Sequence, residues 1–395
     1  MKNILLASLL VVTVFAASAA ERARLANEKM ILSGDTDAMK GSSIFDGQKG
    51  LLKVSPDGRK LLFYREEPEK LNGLNGVARL VLRDLTDGSE TLLPFPPLPA
   101  RLVKYLPMLA FANNPFDKTG SKIVLGVGID ADKNGTFDAR TEKMQAVVFD
   151  VATSETKNLA VTGTFVTAGY NSEGNRYIVS TYDQGEPAKI RLLLSRTDPV
   201  RWQEHVLSGS PRAISPNIDR IMLLKTAELK FGRRSREFPS DWVLYDTGKC
   251  KEAVTLPASK IQGALSMYTL VFVPRWTTLG GHLHYIDVLG LPNAPRHGTR
   301  IWERRSQTVV KDLPNVVPIG PGPTRTSMVL MRVNEVKESG SRVIGIVVHD
   351  ASSNQTWEIP LPDTRILGTH DRHVIYTRKD KAGKEAVYMT EIVLP

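Results

Sequence analysis

The 395-residue sequence predicts an all-β fold, and more closely a closed β-propeller of seven four-stranded blades. Three observations predict it. A unit made of a turn and an apolar strand recurs along the chain. A second unit, a strand that ends at a polar residue, recurs at intervals typical of one blade. The last of these units lacks a fourth strand of its own. Six or eight blades are the alternatives to seven.

The first repeated unit is a turn rich in Asp, Asn and Gly, followed by a basic residue and a strand. Short runs rich in Val, Ile and Leu between such turns are typical of antiparallel strands. The unit occurs as VSPDGRKLLFY at 54–64, FDKTGSKIVLGV at 116–127, YNSEGNRYIVST at 170–181 and ISPNIDRIMLL at 214–224.

The second repeated unit ends at a marker position that is usually an aspartate. Spacings between successive markers are 66, 46, 50, 41, 63 and 41 residues. A four-stranded blade takes ~40–50 residues, so the longer spacings indicate loop insertions. A further strand follows most markers and would complete each blade. The markers are Asp84, Asp150, Arg196, Asp246, Asp287, Asp350 and Glu391.

The end of the chain predicts how the ring closes. After Glu391 only four residues remain, so the last blade has no fourth strand of its own. The segment from Glu28 to Leu32 could supply that strand, and closure would remove exposed sheet edges. A tandem of β-sandwiches or an open solenoid is the alternative, but the chain lacks the capping segments that those folds need.

Two of the repeated phrases carry a family resemblance. SPDGRKLLF at 55–63 and NSEGNRYIVS at 171–180 resemble the repeats of the periplasmic Tol-system (TolB-like) propellers and of their WD-like bacterial relatives. The resemblance extends over most of the chain and is loose across 260–340. It implies a propeller fold and a periplasmic location, but not a function, since propellers host many functions.

The first twenty residues predict export. Lys2 precedes an apolar run from Ile4 to Ala16, and small residues at 17–20 suit signal peptidase cleavage. A retained membrane anchor is the alternative, although the run is short for a membrane span. We therefore expect a signal peptide at 1–20, one propeller domain at 21–395 with no transmembrane segment, and a periplasmic or secreted location.

Composition limits the class of partner that the chain is expected to bind. The chain carries a formal net charge of +10, which favours anionic surfaces such as cell-envelope polymers or acidic proteins. Export makes nucleic acid an unsuitable partner. Cys250 is the single cysteine, so no disulfide can form within the chain.

The sharpest motif is DADKNGTFDARTE at 130–142, which predicts a calcium loop. Oxygen ligands at alternate positions, with a glycine at the bend, suit the flexible shell of Ca²⁺. The pattern departs from an EF-hand because Thr141 stands at the twelfth position and the glutamate comes one residue late. A solvated acidic turn without metal is the alternative. The candidate ligands are Asp130, Asp132, Asn134, Thr136, Asp138 and Glu142.

Basic clusters predict a second kind of site, an anion-attracting face with aromatic anchors. This requires that the clusters meet on one face of the ring; a scattered basic surface is the alternative. The candidate binding residues are Arg233, Arg234, Arg236, Trp302, Arg304 and Arg305.

No catalytic residue is predicted. The sequence has no G-x-S-x-G nucleophile motif, and Cys250 has no recognisable catalytic partner. We therefore expect a non-catalytic binding or scaffolding propeller that recognises a protein, peptide or anionic envelope polymer. The alternative is a calcium-dependent propeller enzyme such as a lactonase, phytase or glycan-active hydrolase. A calcium ion at the blade periphery would favour binding, and one at the axis would favour catalysis.

Overall fold

A computed structural model gives the fold of the chain. It describes residues 22–33, 52–71, 74–99, 114–138, 140–171, 173–183, 189–195, 201–231, 234–256, 274–289, 296–336, 340–362 and 364–395. The predicted signal peptide lies outside these residues. Regular structure in the described part of the chain consists of β-strands alone. None of the described residues belongs to a helix that is long and apolar enough to cross a membrane.

The strands form seven antiparallel sheets arranged as the blades of a ring, which confirms the predicted seven-bladed propeller. Blade 1 contains β2 (Leu52–Val54), β3 (Lys60–Leu71), β4 (Leu74–Asp84) and β5 (Glu90–Leu92), with β6 (Leu98–Pro99) also paired to β4. Blade 2 contains β7 (Lys122–Gly128), β8 (Met144–Asp150) and β9 (Thr156–Gly163). Its first position is taken by residues 114–116, where Phe116 forms a bridge to Ile123.

The remaining blades each have four strands. Blade 3 contains β10 (Phe165–Tyr170), β11 (Tyr177–Asp183), β12 (Lys189–Ser195) and β13 (Trp202–Leu207). Blade 4 contains β14 (Ser210–Ile214), β15 (Arg220–Phe231), β16 (Arg234–Asp246) and β17 (Lys251–Thr255). Blade 5 contains β18 (Arg275–Trp276), β19 (His282–Leu289), β20 (Arg296–Glu303) and β21 (Thr308–Pro314). Blade 6 contains β22 (Val316–Pro321), β23 (Ser327–Val336), β24 (Gly340–Asp350) and β25 (Gln355–Pro360). Blade 7 contains β26 (Arg365–His370), β27 (His373–Lys379), β28 (Glu385–Val393) and β1 (Arg24–Leu32).

The first strand of each blade lies at the axis of the ring. First strands of successive blades contact one another: β14 with β18, β18 with β22, and β22 with β26. Asn114 and Tyr170 join the first strands of blades 2 and 3 in the same way. Fourth strands such as β5, β17 and β21 are largely exposed, as expected at the periphery.

The N-terminal strand joins the two ends of the chain. β1 pairs antiparallel with β28, from Arg24 opposite Val393 to Leu32 opposite Val387. Side chains add to this pairing, since the Glu28 carboxylate accepts hydrogen bonds from Tyr376 and from Arg378, the latter at 2.6 Å. The outer strand of blade 7 therefore comes from the opposite end of the chain.

The repeated Asp-Gly turns connect first to second strands and meet on one face of the ring. In blade 1, Ser55 Oγ accepts from the backbone N–H of Lys60 at 2.9 Å, and Gly58 adopts a φ of 70°, which favours glycine. Turns of neighbouring blades touch: a Cβ at Gly120 would lie 3.2 Å from Ser55, and one at Gly280 would lie 3.1 Å from Pro216. In antiparallel blades the third-to-fourth connections share this face, which we call the turn face. The second-to-third connections lie on the opposite face, the hairpin face.

One predicted marker is in the wrong strand. Asp287 lies in β19, the second strand of blade 5, whereas the other described markers end or lie in third strands. Glu303, at the end of β20, holds the equivalent place. Asp287 is instead fully buried and forms an ion pair with Arg300 at 3.0 Å. A buried partner of an arginine was thus mistaken for a turn residue. Arg196 lies outside the described residues.

Candidate functional site

The acidic motif forms the connection between β7 and β8, on the hairpin face. Its base is fixed by a backbone hydrogen bond from Ile129 N to Lys143 O at 3.0 Å. Phe137 turns inward from the loop and is fully buried in the hydrophobic core. The Phe137 ring packs against the backbone of Gly128. Glycine is required at this position, because a Cβ there would lie 2.6 Å from the ring. The loop is therefore tied to the blade by an apolar anchor.

The carboxylates of this loop are held by backbone N–H groups. Asp130 accepts hydrogen bonds from the N–H groups of Asn134 at 3.0 Å and Gly135 at 2.9 Å. Gly135 has a φ of 86°, a conformation that favours glycine. The Glu142 carboxylate accepts from Ala131 N at 2.5 Å and from Asp138 N at 2.8 Å. These contacts fix the Asp130 and Glu142 carboxylates within the loop.

Three of the six predicted ligands come together. One oxygen each of Asp130, Asp132 and Glu142 lies within 4.8 Å of the others. Oxygens that surround Ca²⁺ at 2.3–2.6 Å are at most about 5 Å apart, so this group fits a calcium ion. Glu142 reaches the group despite coming one residue late, because Thr141 N and Glu142 N both bond to Asp138 O in a tight turn.

The other three predicted ligands have different contacts. Asn134 Oδ1 accepts from Thr136 N at 2.9 Å and from Thr136 Oγ1 at 2.7 Å. Asp138 Oδ1 accepts from Arg140 N at 3.0 Å. Asp138 is not part of the carboxylate group that converges on one point. The Asn134 amide oxygen and the Thr136 backbone carbonyl stay predicted ligands.

The predicted aromatic anchor is not available to a partner. Trp302 is 2 % exposed and packs edge-on against Trp276, with ring centroids 6.2 Å apart. Its neighbour Arg304 is ion-paired to Asp219 of blade 4, with Nη1 3.2 Å from Oδ1. Arg305 is exposed. The prediction of Trp302 as a surface anchor is therefore wrong, because alternation along β20 turns it into the core.

The two predicted basic clusters lie on opposite faces of the ring. Arg234 and Arg236 belong to β16 beside the second-to-third connection, on the hairpin face. Arg304 and Arg305 lie in a third-to-fourth connection, on the turn face. Arg233 lies outside the described residues. The expectation of one shared basic face is wrong, because the two clusters lie at opposite ends of the blade strands and are separated by the length of a strand.

Among the described residues, three long hairpins extend from the hairpin face. β15 and β16 have 12 and 13 residues, whereas β11 and β12 of blade 3 have 7 each. Five extra residues extend a strand by roughly 16 Å. Pairing continues to the tip, where Phe231 lies opposite Arg234. Blades 1 and 6 have similar hairpins, β3–β4 and β23–β24.

Each long hairpin contains a β-bulge. The register shifts between Glu67 and Lys70 in blade 1, between Leu224 and Thr226 in blade 4, and between Arg332 and Val333 in blade 6. A bulge bends a strand and increases its twist. The hairpins thus change direction partway along their length, and sequence patterns did not reveal them.

The chain matches no protein-family model. It also matches no curated protein. Its similarity to known proteins is structural. The β-propeller domain of the Trilobed protease from Pyrococcus furiosus is 11% identical, with 95% of this chain and 96% of that chain covered and a TM-score of 0.54. The Pyrococcus horikoshii acylaminoacyl peptidase is 12% identical, with 91% and 53% covered and a TM-score of 0.51.

A TolB structure from Acinetobacter baumannii is 15% identical, with 67% of this chain and 53% of that chain covered and a TM-score of 0.38. The chain therefore spans about half the length of the TolB and acylaminoacyl peptidase structures. At these identities the similarity of the first two structures establishes the propeller fold alone.

Proposed function

We propose that this chain is an exported, non-catalytic propeller that binds an acidic protein, peptide or anionic envelope polymer through its hairpin face. The observation that carries this proposal is the gathering of three long hairpins and the acidic loop on that face. Loops held by a rigid scaffold are where binding residues concentrate. Over the described residues, by contrast, the turn face consists of short turns, and turns of neighbouring blades contact one another at Gly120 and Gly280.

Charge supports an anionic partner. Residues 225–236, which include the end of β15 and the start of β16, contain five basic residues and one acidic residue. The chain as a whole carries +10. Opposite charges raise the rate of encounter and help to orient the partner. The predicted export places such a face where envelope polymers and exported proteins are available, in the periplasm or outside the cell.

Calcium in the acidic loop would support binding rather than catalysis. The carboxylate group of Asp130, Asp132 and Glu142 lies between the second and third strands of blade 2, away from the first strands at the axis. Ca²⁺ there would offset two of the three negative charges of the converging carboxylates and stiffen one part of the hairpin face. This position favours the binding function over a calcium-dependent lactonase, phytase or glycan hydrolase.

The test is a matched pair of charge reversals. The double variant Arg234→Glu, Arg236→Glu changes the hairpin face, and Arg305→Glu, Arg325→Glu changes the same number of charges on the turn face. Binding of fluorescent poly-L-glutamate is measured by anisotropy at low and physiological salt. We expect the first variant to weaken binding about tenfold and the second about twofold or less, with all affinities falling as salt rises.

Equal losses in both variants would mean that net charge alone attracts the polymer and would overturn the proposal. Unchanged binding in the hairpin-face variant would overturn it as well. Circular dichroism and thermal melting of both variants establish that each reversal leaves the fold intact.

A further inference from the structure

The first strands of the blades carry basic side chains and no acidic ones. In the described first strands, including residues 114–116 of blade 2, four residues are basic and none is Asp or Glu. The basic residues are Lys53 in β2, Arg212 in β14, Arg275 in β18 and Arg365 in β26. The inner wall of the ring is therefore cationic over the described residues.

Lys53 and Arg275 occupy the same place in two different blades. Each stands two residues before the Ser or Thr that begins its turn: Ser55 Oγ accepts from Lys60 N at 2.9 Å, and Thr277 Oγ1 from His282 N at 3.3 Å. Equivalent positions on first strands lie at the same depth along the axis. The two side chains are thus at one level of the channel.

Lys53 and Arg275 lie on opposite sides of the axis, because blades 2, 3 and 4 separate blade 1 from blade 5 on one side of the ring and blades 6 and 7 on the other. Burial, and after it the charge of Arg275, lowers the pKa of Lys53. Arg275 Nε donates a hydrogen bond to Ile319 O of blade 6 at 3.0 Å, which fixes the guanidinium at the wall. Among the described residues, no carboxylate forms an ion pair with Lys53 or Arg275.

The positive charges of Lys53 and Arg275 both reduce the stability of the fold. Burial, with the charge of Arg275, lowers the pKa of Lys53 to about 8, and burial lowers the pKa of Arg275 to about 10. Both side chains are partly exposed. A partly buried cation without a counter-ion destabilises the fold, and an anion between Lys53 and Arg275 would reduce that cost.

We propose that the axial channel is an anion-binding site in which Lys53 and Arg275 hold a phosphate or carboxylate group from opposite sides. This site is separate from the hairpin face. The Arg275 fork suits two oxygens of one oxyanion, and the Lys53 ammonium supplies a point charge to a third. The ligand is a small anion, or the anionic end of a larger molecule that enters the channel.

Titration of the full mature chain tests this proposal. Inorganic phosphate and citrate are added separately at constant ionic strength, and the melting temperature and the heat of binding are followed. We compare Lys53→Met and Arg275→Met with Lys157→Met, a control in the outer strand β9. We expect wild type and control to be stabilised by one or both anions. The two channel variants should lose affinity about tenfold or more, as for the loss of one charge-assisted contact.

A response to phosphate alone identifies a phosphate ligand, and a response to citrate alone identifies a carboxylate ligand. Lys53→Met should also raise the melting temperature in the absence of anion, because it removes a partly buried positive charge. If neither anion stabilises the wild type beyond equal ionic strength of chloride, the proposal is wrong. It is equally wrong if Lys53→Met binds both anions as tightly as the control does.

Discussion

Two buried histidines between blades 5 and 6 should make the propeller acid-sensitive. His284 in β19 and His349 in β24 are 0 % and 2 % exposed, and their rings meet edge-on with centroids 5.8 Å apart. No ring nitrogen of either residue has a hydrogen-bond partner of good geometry among the described residues. Protonation would therefore bury positive charge without a compensating acceptor.

The surroundings of the pair favour the neutral rings. Burial, followed by the charge of Lys311, lowers the pKa of His349 to about 4, although Asn354 and Asp350 act in the opposite direction. Burial, followed by the neighbouring His349 and His282, lowers the pKa of His284 well below its ordinary value. Burial also lowers the pKa of the nearby His282, although the charges of Glu303 and Asp350 act to raise it.

The pKa of His349 sets the size and sign of the effect. An unfolded histidine has a pKa of about 6.5, so between pH 6.5 and 4 the unfolded state binds more protons. Stability is thus fully present above pH 6.5 and is lost as the pH falls through this window. With a folded pKa of about 4, His349 alone should cost about 2 kcal/mol between pH 7 and 5. His284 adds a loss of the same sign.

Urea unfolding of the wild type and of His284→Phe, His349→Phe at pH 7, 6 and 5 measures this effect. Two phenylalanines keep an edge-on aromatic pair and cannot titrate. We expect the free energy of unfolding of the double variant to fall less between pH 7 and 5, by about 2 kcal/mol or more. Ile286→Val, a small core change in the same strand, should keep the wild-type pH dependence. Identical slopes in wild type and double variant would refute the reasoning.

Two further predictions concern the loop and the blade contacts. Millimolar Ca²⁺ should raise the melting temperature above that measured in chelator, Mg²⁺ should raise it less, and Asp132→Asn should remove the shift. If calcium does not change the melting curve of the wild type, the loop is a polar turn that binds no metal. Gly126→Ala should destabilise the chain by about 2 kcal/mol or more in urea unfolding, since the new Cβ would lie 1.9 Å from Val166 O of the next blade. Gly281→Ala, where nothing lies within 4 Å of the new Cβ, should be close to neutral, and equal effects at the two glycines would contradict this account.

The parts of the fold that local chemistry dictates were predictable from the sequence. The Ser-Pro-Asp-Gly turn is recognisable because its residues act on their near neighbours. Ser55 and Asp57 bond to nearby groups, and Gly58 takes a positive φ. The turn recurs at 116–127, 170–181 and 214–224, and the seven marker positions predicted the number of blades. Convergence of Asp130 and Asp132 follows from the same local rules, since their backbone contacts lie within five residues.

Features that depend on distant contacts were not predictable. Trp302 and Asp287 are both buried, and this follows from contacts between strands that are separate in the sequence: Trp302 packs on Trp276, and Asp287 pairs with Arg300. First strands as short as β2 and β18 are too brief for any periodicity to show that Lys53 and Arg275 line the axis. The long hairpins carry mixed polar residues without clear alternation, because much of their length extends past the blade core and need not alternate.

The two faces of the ring differ in what a change of sequence would cost. On the turn face, Leu279 N bonds to Arg325 O of the next blade at 3.1 Å, and Arg304 reaches Asp219 of the preceding one. A longer turn there would break contacts that hold neighbouring blades together. A longer hairpin on the opposite face leaves those contacts intact, as β15 and β16 do while blade 4 keeps its four paired strands. Insertions are therefore tolerated on the hairpin face, and this asymmetry is the physical reason to expect partner recognition there.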